Sequence, residues 1–272
     1  MTTPISTADV AQSVYIMPPP GDTPPQEVFL VVHGLNLRPD KMQPWVDWLL
    51  GQGFGVVQLV LAGHHGPHDS KWRRLYARNW LADVDHAHLA LRTTWPHAKL
   101  SLLGFSLGAL TPLAWSLERE VPFARTVLLS PAFPLRATWS ALLAPLLKWV
   151  RLPLIIPSFT PRRYHVHATN SLFAYAALAR LKNMLTRKLR QGQHLPPSFV
   201  VLQPGDELIS VRGWQQNGAA WTRGRLRLYL LHPQPEHAVP RHLAIDAESM
   251  GLGPWHELLE ALQQWMDHGA LP

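Results

Sequence analysis

The sequence predicts an α/β fold, with a mostly parallel central sheet and helices on both faces. Two observations predict this class. Short apolar runs typical of buried strands recur along the chain, and segments with apolar residues at helical spacing lie between them. The chain has 272 residues, of which 47% are hydrophobic, so it can bury one sizeable core.

Strands and helices alternate along the chain as a doubly wound sheet requires. The first half gives an apolar strand at 28–32, a helix at 41–52, a strand at 55–61, a helix at 78–92 and a strand at 99–103. The second half gives a helix at 109–117, strands at 126–130, 198–202 and 225–231, and an amphipathic helix at 254–266. We expect residues 133–197 to form an inserted, largely helical cap on a core of residues 1–132 and 198–272.

The strongest motif follows the strand at 99–103. Gly104-Phe105-Ser106-Leu107-Gly108 places a serine between two glycines, immediately before a helix. A strand-to-helix turn of this kind pushes the hydroxyl out at the edge of the sheet, and the glycines keep the crowded turn free of side chains. The pattern also occurs by chance in glycine-rich loops, but the flanking strand and helix favour a nucleophile. We predict that Ser106 is that nucleophile.

A nucleophilic serine needs a histidine that takes its proton and a carboxylate that orients the imidazole. Asp206 lies in a Pro-Gly turn just past the strand at 198–202, so we expect it at the same edge of the sheet as Ser106. Glu207 is the neighbouring alternative, and a helix cap for the segment after Ser210 is the non-catalytic interpretation of Asp206. We predict that Asp206 is the acid.

The base must be chosen from 15 histidines. His232, His237 and His242 follow the last predicted strand, and a residue several positions beyond the strand can reach back over the sheet. His232 lies too close to the strand end. We prefer His242, with His237 as the second choice.

The strand at 28–32 ends in His33-Gly34-Leu35-Asn36. In strand–turn–helix sites of this kind, one oxyanion donor is the N–H of the residue after the nucleophile and the other lies in the loop after an early strand. We predict that these donors are Leu107 and Leu35, and each is typically worth about 3 kcal/mol in the barrier. We expect His33 to be a structural histidine that braces the loop.

Together these motifs resemble the α/β-hydrolase superfamily over roughly residues 26 to 268. The His33-Gly34 turn, the segment 61–66, the serine elbow, Asp206 and the segment 242–246 are most similar to the branch of monoglyceride lipases, carboxylesterases and S33 serine aminopeptidases. The resemblance implies the α/β-hydrolase fold and a serine hydrolase that acts on esters, with Ser106, Asp206 and His242 as its triad. Many relatives have another glycine soon after the His-Gly turn, whereas Asn36 follows Leu35 here.

We therefore predict a serine hydrolase that cleaves carboxylic esters with apolar acyl groups through an acyl-enzyme, without a cofactor or metal. The histidines and aspartates around His64 are interpreted as a loop near the pocket mouth, and those around Asp83 as a solvated surface. A thioesterase, a lysophospholipase or an acyltransferase would use the same triad. A non-catalytic small-molecule receptor on this fold is the alternative from another class.

Charge is distributed unevenly along the chain. Residues 121–205 contain no Asp or Glu but eleven Lys and Arg, while the other 14 basic residues face all 18 acidic ones. Apolar residues in this segment are expected to line the acyl pocket, and its basic face to make weak contact with anionic membrane surfaces; a merely solvated basic face is the alternative. No recognition motif for nucleic acid accompanies the charge. The chain has no cysteine, and its first residues lack the basic start and apolar run of a secretory signal, so we expect a cytoplasmic protein.

Overall fold

The computed structural model describes residues 13–66, 69–143, 154–158, 160–234 and 240–268. In these residues the strands are β1 (Val14–Met17), β2 (Glu27–Val32), β3 (Gly55–Leu59), β4 (Lys99–Phe105), β5 (Thr126–Leu129), β6 (Ile155–Pro157), β7 (Thr169–Ser171), β8 (Ser198–Leu202) and β9 (Leu226–Leu230). Seven of these described strands form the central sheet in the order β1-β3-β2-β4-β5-β8-β9. All neighbours pair in parallel except β1, which runs antiparallel to β3.

The helices of the described residues are α1 (Gln43–Gly51), α2 (Ala77–Thr94), α3 (Leu107–Arg119), α4 (Ala137–Leu143), α5 (Leu172–Arg190), α6 (Val211–Trp221), α7 (Ala247–Met250) and α8 (Leu252–Asp267). The predicted fold class is confirmed, and the predicted strands and helices lie within a few residues of the observed ones. Strand β1 was not predicted, because four residues beside a proline-rich stretch give too little pattern.

Side chains along β2 alternate between two apolar layers, as the pleat of a strand requires. Val28, Leu30 and Val32 pack with α2, α3, α5 and α6 on one face of the sheet. Phe29 and Val31 pack with α1 and α8 on the other face. The sheet is therefore covered on both sides, which is why its strands read as continuous apolar runs in the sequence.

The segment between β5 and β8, called the insertion below, contributes both to the apolar core and to the surface of the molecule. Helix α5 buries a stripe of residues at three- and four-residue spacing against α3 and the surrounding core: Ala174, Ala177, Leu178, Leu181 and Leu185. Before it, β6 and β7 form a separate antiparallel pair. Residues 144–153 lie outside the described part of the chain. The apolar stripe of α5 thus packs this helix against α3 and the core on one face of the sheet.

The parallel register brings several loops to one edge of the sheet. Val32 at the end of β2 pairs with Gly104 near the end of β4, and Leu129 at the end of β5 pairs with Val201 near the end of β8. The loops that follow these strands therefore meet at the carboxyl edge, where ligands of open α/β sheets bind. None of the helices described is both long and apolar enough to cross a membrane.

Candidate active site

Ser106 sits at a sharp turn between β4 and α3. Its backbone has φ 51° and ψ −111°, a left-handed conformation that residues with a side chain rarely adopt. The turn closes so tightly that a Cβ on Gly104 would collide with the Gly108 carbonyl oxygen, and a Cβ on Gly108 with the carbonyl oxygens of Val32 and His33. The two glycines of the motif are therefore required by close backbone approach, and the turn holds the Ser106 side chain at the carboxyl edge.

The structure brings the three predicted triad residues into one hydrogen-bonded chain. Ser106 Oγ lies 2.9 Å from His242 Nε2, and His242 Nδ1 lies 3.0 Å from Asp206 Oδ2. Since the carboxylate accepts a hydrogen bond from Nδ1–H, Nε2 of the neutral imidazole is left as the acceptor for the Ser106 hydroxyl. This arrangement can remove a proton from the serine as its oxygen attacks a carbonyl carbon.

Asp206 is buried, with its side chain wholly shielded from solvent. Burial alone would raise the pKa of this carboxyl, but His242 and the backbone N–H groups of Ile209 and Leu208 outweigh it and hold the pKa below its ordinary value. Those two N–H groups donate to Oδ1 at 2.9 and 2.7 Å, which leaves Oδ2 for the histidine. The carboxylate therefore stays ionised and fixed in direction.

Glu207, which we weighed as the alternative acid, binds the backbone of the loop that carries His242. Its two carboxylate oxygens accept hydrogen bonds from the N–H groups of Arg241 and His242, each at 2.9 Å. The acid turn is also tied to the start of the insertion, since Arg136 donates to the Asp206 carbonyl oxygen and Trp139 to that of Glu207. The Asp-Glu pair in the sequence was the only signal for this role. His237, the second-choice base, lies outside the described residues.

The loop after β2 approaches the elbow closely. A Cβ on Gly34 would lie 2.6 Å from Phe105 Cδ1 and 3.4 Å from Ser106 Cβ, so only glycine allows this distance. Among the described residues we find no acceptor for the N–H groups of Leu35 or Leu107, the two predicted oxyanion donors. Leu107 is the first residue of α3, where backbone N–H groups have no partner within the helix. Both N–H groups therefore remain available to a ligand oxygen.

His33 and His64 brace this loop from below, and their ring centroids are 4.6 Å apart. His33 Nε2 accepts the N–H of Leu61, so its Nδ1 carries the proton and donates to the Gly34 carbonyl oxygen at 2.8 Å. Burial lowers the pKa of His33 to about 4 and that of His64 well below its ordinary value. Both rings are neutral at pH 7 and hold backbone atoms in place.

Asp83 and Asp85 on α2 form specific hydrogen bonds within the protein, whereas we expected a solvated polar surface there. Asp83 accepts the N–H of Ala62 at 2.7 Å, and burial raises the pKa of its carboxyl to about 7. Asp85 binds the Trp115 indole N–H and the Arg119 guanidinium. The expectation is therefore wrong for Asp83, which supports the loop that carries His64. In the part of the chain that the structure describes, no three His, Asp or Glu side chains group closely enough to bind a metal.

A cavity of about 510 Å³ opens above Ser106 and His242. Besides Ser106 and His242, four lining residues carry polar groups: Thr160, Asn170, Tyr175 and Glu207. The rest of the lining is mostly apolar and consists of Leu35, Leu37, Phe105, Ala132, Leu135, Trp139, Leu178, Leu208, Ile209, Pro240 and Leu243. Several of these residues come from the insertion. The space and its apolar walls fit a small ligand that places a reactive carbon at the serine.

Comparisons with known proteins agree with this geometry. A family model described as serine aminopeptidase, S33, matches residues 23–194. Comparison with curated proteins gives no significant match. Among solved structures, a soluble variant of the monoglyceride lipase from Saccharomyces cerevisiae, in complex with a substrate analogue, is 14% identical with a TM-score of 0.71, over 94% of this chain and 91% of that chain.

Two further solved structures show the same architecture. The monoacylglycerol lipase from Paleococcus ferrophilus is 18% identical with a TM-score of 0.65, over 93% of this chain and 97% of that chain. A highly thermostable carboxyl esterase from Bacillus coagulans, in complex with glycerol, is 12% identical with a TM-score of 0.65, over 95% and 94% of the two chains. At these identities the likeness concerns the fold.

Proposed function

The chain belongs to the serine aminopeptidase S33 family of α/β-hydrolases, and we propose that it hydrolyses carboxylic esters with apolar acyl groups. The observation that carries this proposal is the hydrogen-bonded chain Ser106–His242–Asp206 beneath a mostly apolar cavity. An ester has the carbonyl carbon that an activated serine attacks, and apolar walls favour a hydrocarbon acyl chain over water.

In the first step Ser106 Oγ attacks the carbonyl carbon while His242 Nε2 takes the hydroxyl proton. The C–O bond to the alcohol then breaks, and His242 returns the proton to the leaving alcohol, which gives an acyl-enzyme. A water molecule, deprotonated by the same nitrogen, attacks the acyl carbon and releases the acid and free Ser106. Asp206 remains ionised throughout and stabilises the imidazolium.

Negative charge develops on the carbonyl oxygen in both steps. We propose that the N–H groups of Leu35 and Leu107 bind this oxygen. Leu107 lies in the elbow and Leu35 in the loop after β2 beside it, and neither N–H has an acceptor in the described part of the chain. Preorganised donors of this kind act at the point where charge appears and are typically worth about 3 kcal/mol each.

Ester cleavage suits the cavity better than removal of an amino-terminal residue. A free amino terminus is bound most strongly by a carboxylate directed at the ammonium group. Glu207 is the only carboxylate among the described lining residues, and its two oxygens already accept the N–H groups of Arg241 and His242. The lining therefore favours a neutral, apolar acyl group.

The proposal is tested by covalent labelling and turnover together. Wild-type protein should react with a fluorophosphonate probe and hydrolyse p-nitrophenyl butyrate, whereas Ser106→Ala should not be labelled and should lose at least about a thousandfold in kcat/KM. Ser130→Ala, which removes another buried serine near the same sheet edge, is the matched control. Wild-type protein that is neither labelled nor active would indicate a receptor. Labelling with turnover only of thioesters, or only with an alcohol acceptor, would indicate a thioesterase or an acyltransferase.

We further propose weak contact between the insertion and anionic membrane surfaces. Leu154, just before β6, and Ile155, its first residue, are 56% and 51% exposed, and Arg187 and Arg190 are exposed on the last turn of α5. Exposed apolar side chains together with surface cations are typical of peripheral membrane binding. Folding reduces the local positive charge, however, because Arg163 pairs with Glu248 and Lys188 with Glu118, two acids from outside residues 121–205, which contain no Asp or Glu.

A further inference from the structure

The loop that carries Leu35 is joined to a distant part of the insertion by a ladder of hydrogen bonds. The Arg38 N–H donates to the Tyr164 carbonyl oxygen at 2.8 Å, and the Val166 N–H donates to the Asn36 carbonyl oxygen at 3.1 Å. Between these bonds Leu37 forms an isolated β-bridge with His165. The loop after β2 therefore behaves as a short strand whose partner lies about 130 residues further along the chain.

Asn36 extends this ladder with its side chain. Its Oδ1 accepts the His167 N–H at 2.8 Å, and its Nδ2 donates to the His167 carbonyl oxygen at 2.8 Å and to Ser158 Oγ at 3.2 Å. A backbone N–H only donates and a carbonyl oxygen only accepts, so these partners fix the orientation of the amide. The side chain thus copies the donor and acceptor of a peptide group.

Asn36 is also held from below. Its backbone N–H donates to His64 Nε2 at 2.8 Å, and its side chain and backbone are together only 1% exposed. Its φ is 56°, in the left-handed region that glycine adopts freely and other residues rarely do. Asparagine is among the residues that tolerate this region best. Asn36 thus adopts the turn conformation and adds three side-chain hydrogen bonds to it.

We propose that Asn36 is a positioning residue for the oxyanion hole: it fixes the neighbouring Leu35 N–H by tying the loop to Ser158 and His167 of the insertion. The proposal rests on the proposed ester hydrolysis, because it assigns Asn36 a role in that reaction. Stabilisation of the oxyanion depends on a donor already placed where the charge develops, so a loosened Leu35 lowers the rate of the chemical step more than substrate binding. The insertion therefore helps to set the geometry of the oxyanion hole as well as lining the cavity.

The first test uses Asn36→Gly, which accepts the positive φ and removes the side-chain bonds that tie the loop to the insertion. We expect kcat for p-nitrophenyl butyrate to fall about tenfold to a hundredfold, less than for removal of a donor, with KM changed less than about twofold. Binding of a trifluoromethyl ketone, which mimics the tetrahedral adduct, should weaken in parallel with kcat. Thr126→Val is the matched control, since it removes a buried hydrogen bond to Ser198 at the opposite end of the strands and should leave kcat unchanged. An unchanged kcat, or a rise in KM alone, would overturn the proposal.

A second variant keeps the test decisive if Asn36→Gly folds poorly. Asn36→Asp has the same shape, but its ionised carboxylate faces the His167 carbonyl oxygen and cannot donate, whereas its protonated form can. Burial raises the pKa of a carboxyl, so the activity of Asn36→Asp relative to wild type should increase as the pH falls. A ratio that does not change with pH would contradict the role of the Nδ2 donor.

Hydrogen exchange separates this proposal from the proposed function. The segment 34–38 should exchange faster in Asn36→Gly than in wild type, while the Thr126→Val control should match wild type there. If wild-type protein cleaves no ester, the proposed function fails; faster exchange would still support positioning of the Leu35 N–H, and unchanged exchange would overturn it.

Discussion

The triad and loop-bracing residues at the carboxyl edge of the central sheet and the cations of the insertion between β5 and β8 differ in how their ionisable groups are held. At the edge these groups are buried and each is fixed by particular atoms: Asp206 by two N–H groups and His242, and His33 by Leu61 and Gly34. In the insertion, cations lie near the surface, and the pair between Arg163 and Glu248 is about half exposed.

This difference predicts how each region responds to change. A buried group that loses its partner carries the full cost of desolvation, so single substitutions at the edge should have large effects. An exposed ion pair is worth roughly 0 to 1 kcal/mol, so charges in the insertion should matter through their sum. The predictions below examine this contrast, from the largest expected effect to the smallest.

The largest effect should come from the base. His242→Ala should lower kcat/KM by at least about a thousandfold, close to the loss in Ser106→Ala, because members of a triad act as a unit. His237→Ala, a histidine five positions away in the same sequence segment, should retain most of its activity. Steady-state kinetics of both variants would decide between them, and the reverse ranking would move the base to His237.

The edge of the sheet was predictable because its signals are local. The elbow is written in five adjacent residues, and Asp206 directly follows an apolar strand. The support of the loop after β2 was not predictable, since Asn36 bonds to Ser158 and His167, which lie far along the chain, and no local pattern encodes such contacts. The partial neutralisation of the insertion was not predictable either, because Lys188 pairs with Glu118 of α3, an ion pair that forms only when α5 packs on that helix.

A medium effect is expected for the stability contributed by Asp83. Burial raises the pKa of its carboxyl to about 7 in the folded protein, above the ordinary value of 3.8. The stability linked to this group is fully present below about pH 4 and is lost as the pH rises through 7, because the folded state binds the proton more tightly. Asp83→Asn keeps an oxygen for the Ala62 N–H and stays neutral. Its melting temperature should exceed that of wild type above pH 7, and the difference should shrink towards pH 4.

Asp85→Asn is the control with the opposite sign, two residues away on α2. Burial would raise the pKa of Asp85, but hydrogen bonds from Arg119 and Trp115 lower it overall. This substitution should therefore reduce the melting temperature at neutral pH and have less effect as the pH falls below the ordinary range of an aspartate. A melting-temperature difference for Asp83→Asn that is constant with pH would mean that burial does not raise the pKa of the Asp83 carboxyl.

The smallest effect should come from the exposed cations of the insertion. Arg187→Gln with Arg190→Gln removes two exposed charges from the end of α5 and leaves its buried apolar stripe intact; Lys188 is kept because it pairs with Glu118. Arg212→Gln with Arg227→Gln makes the same change in net charge at exposed positions of α6 and β9, outside residues 121–205. In co-sedimentation with vesicles rich in phosphatidylserine, the α5 variant should bind several-fold more weakly than the Arg212 and Arg227 variant, and turnover of p-nitrophenyl butyrate should not change. Binding of wild type should also decline with salt, since the Debye length falls from about 10 Å at 0.1 M to about 3 Å at 1 M. Equal losses in the two variants would show that net charge alone governs binding, and no binding by wild type would leave these arginines as a solvated surface.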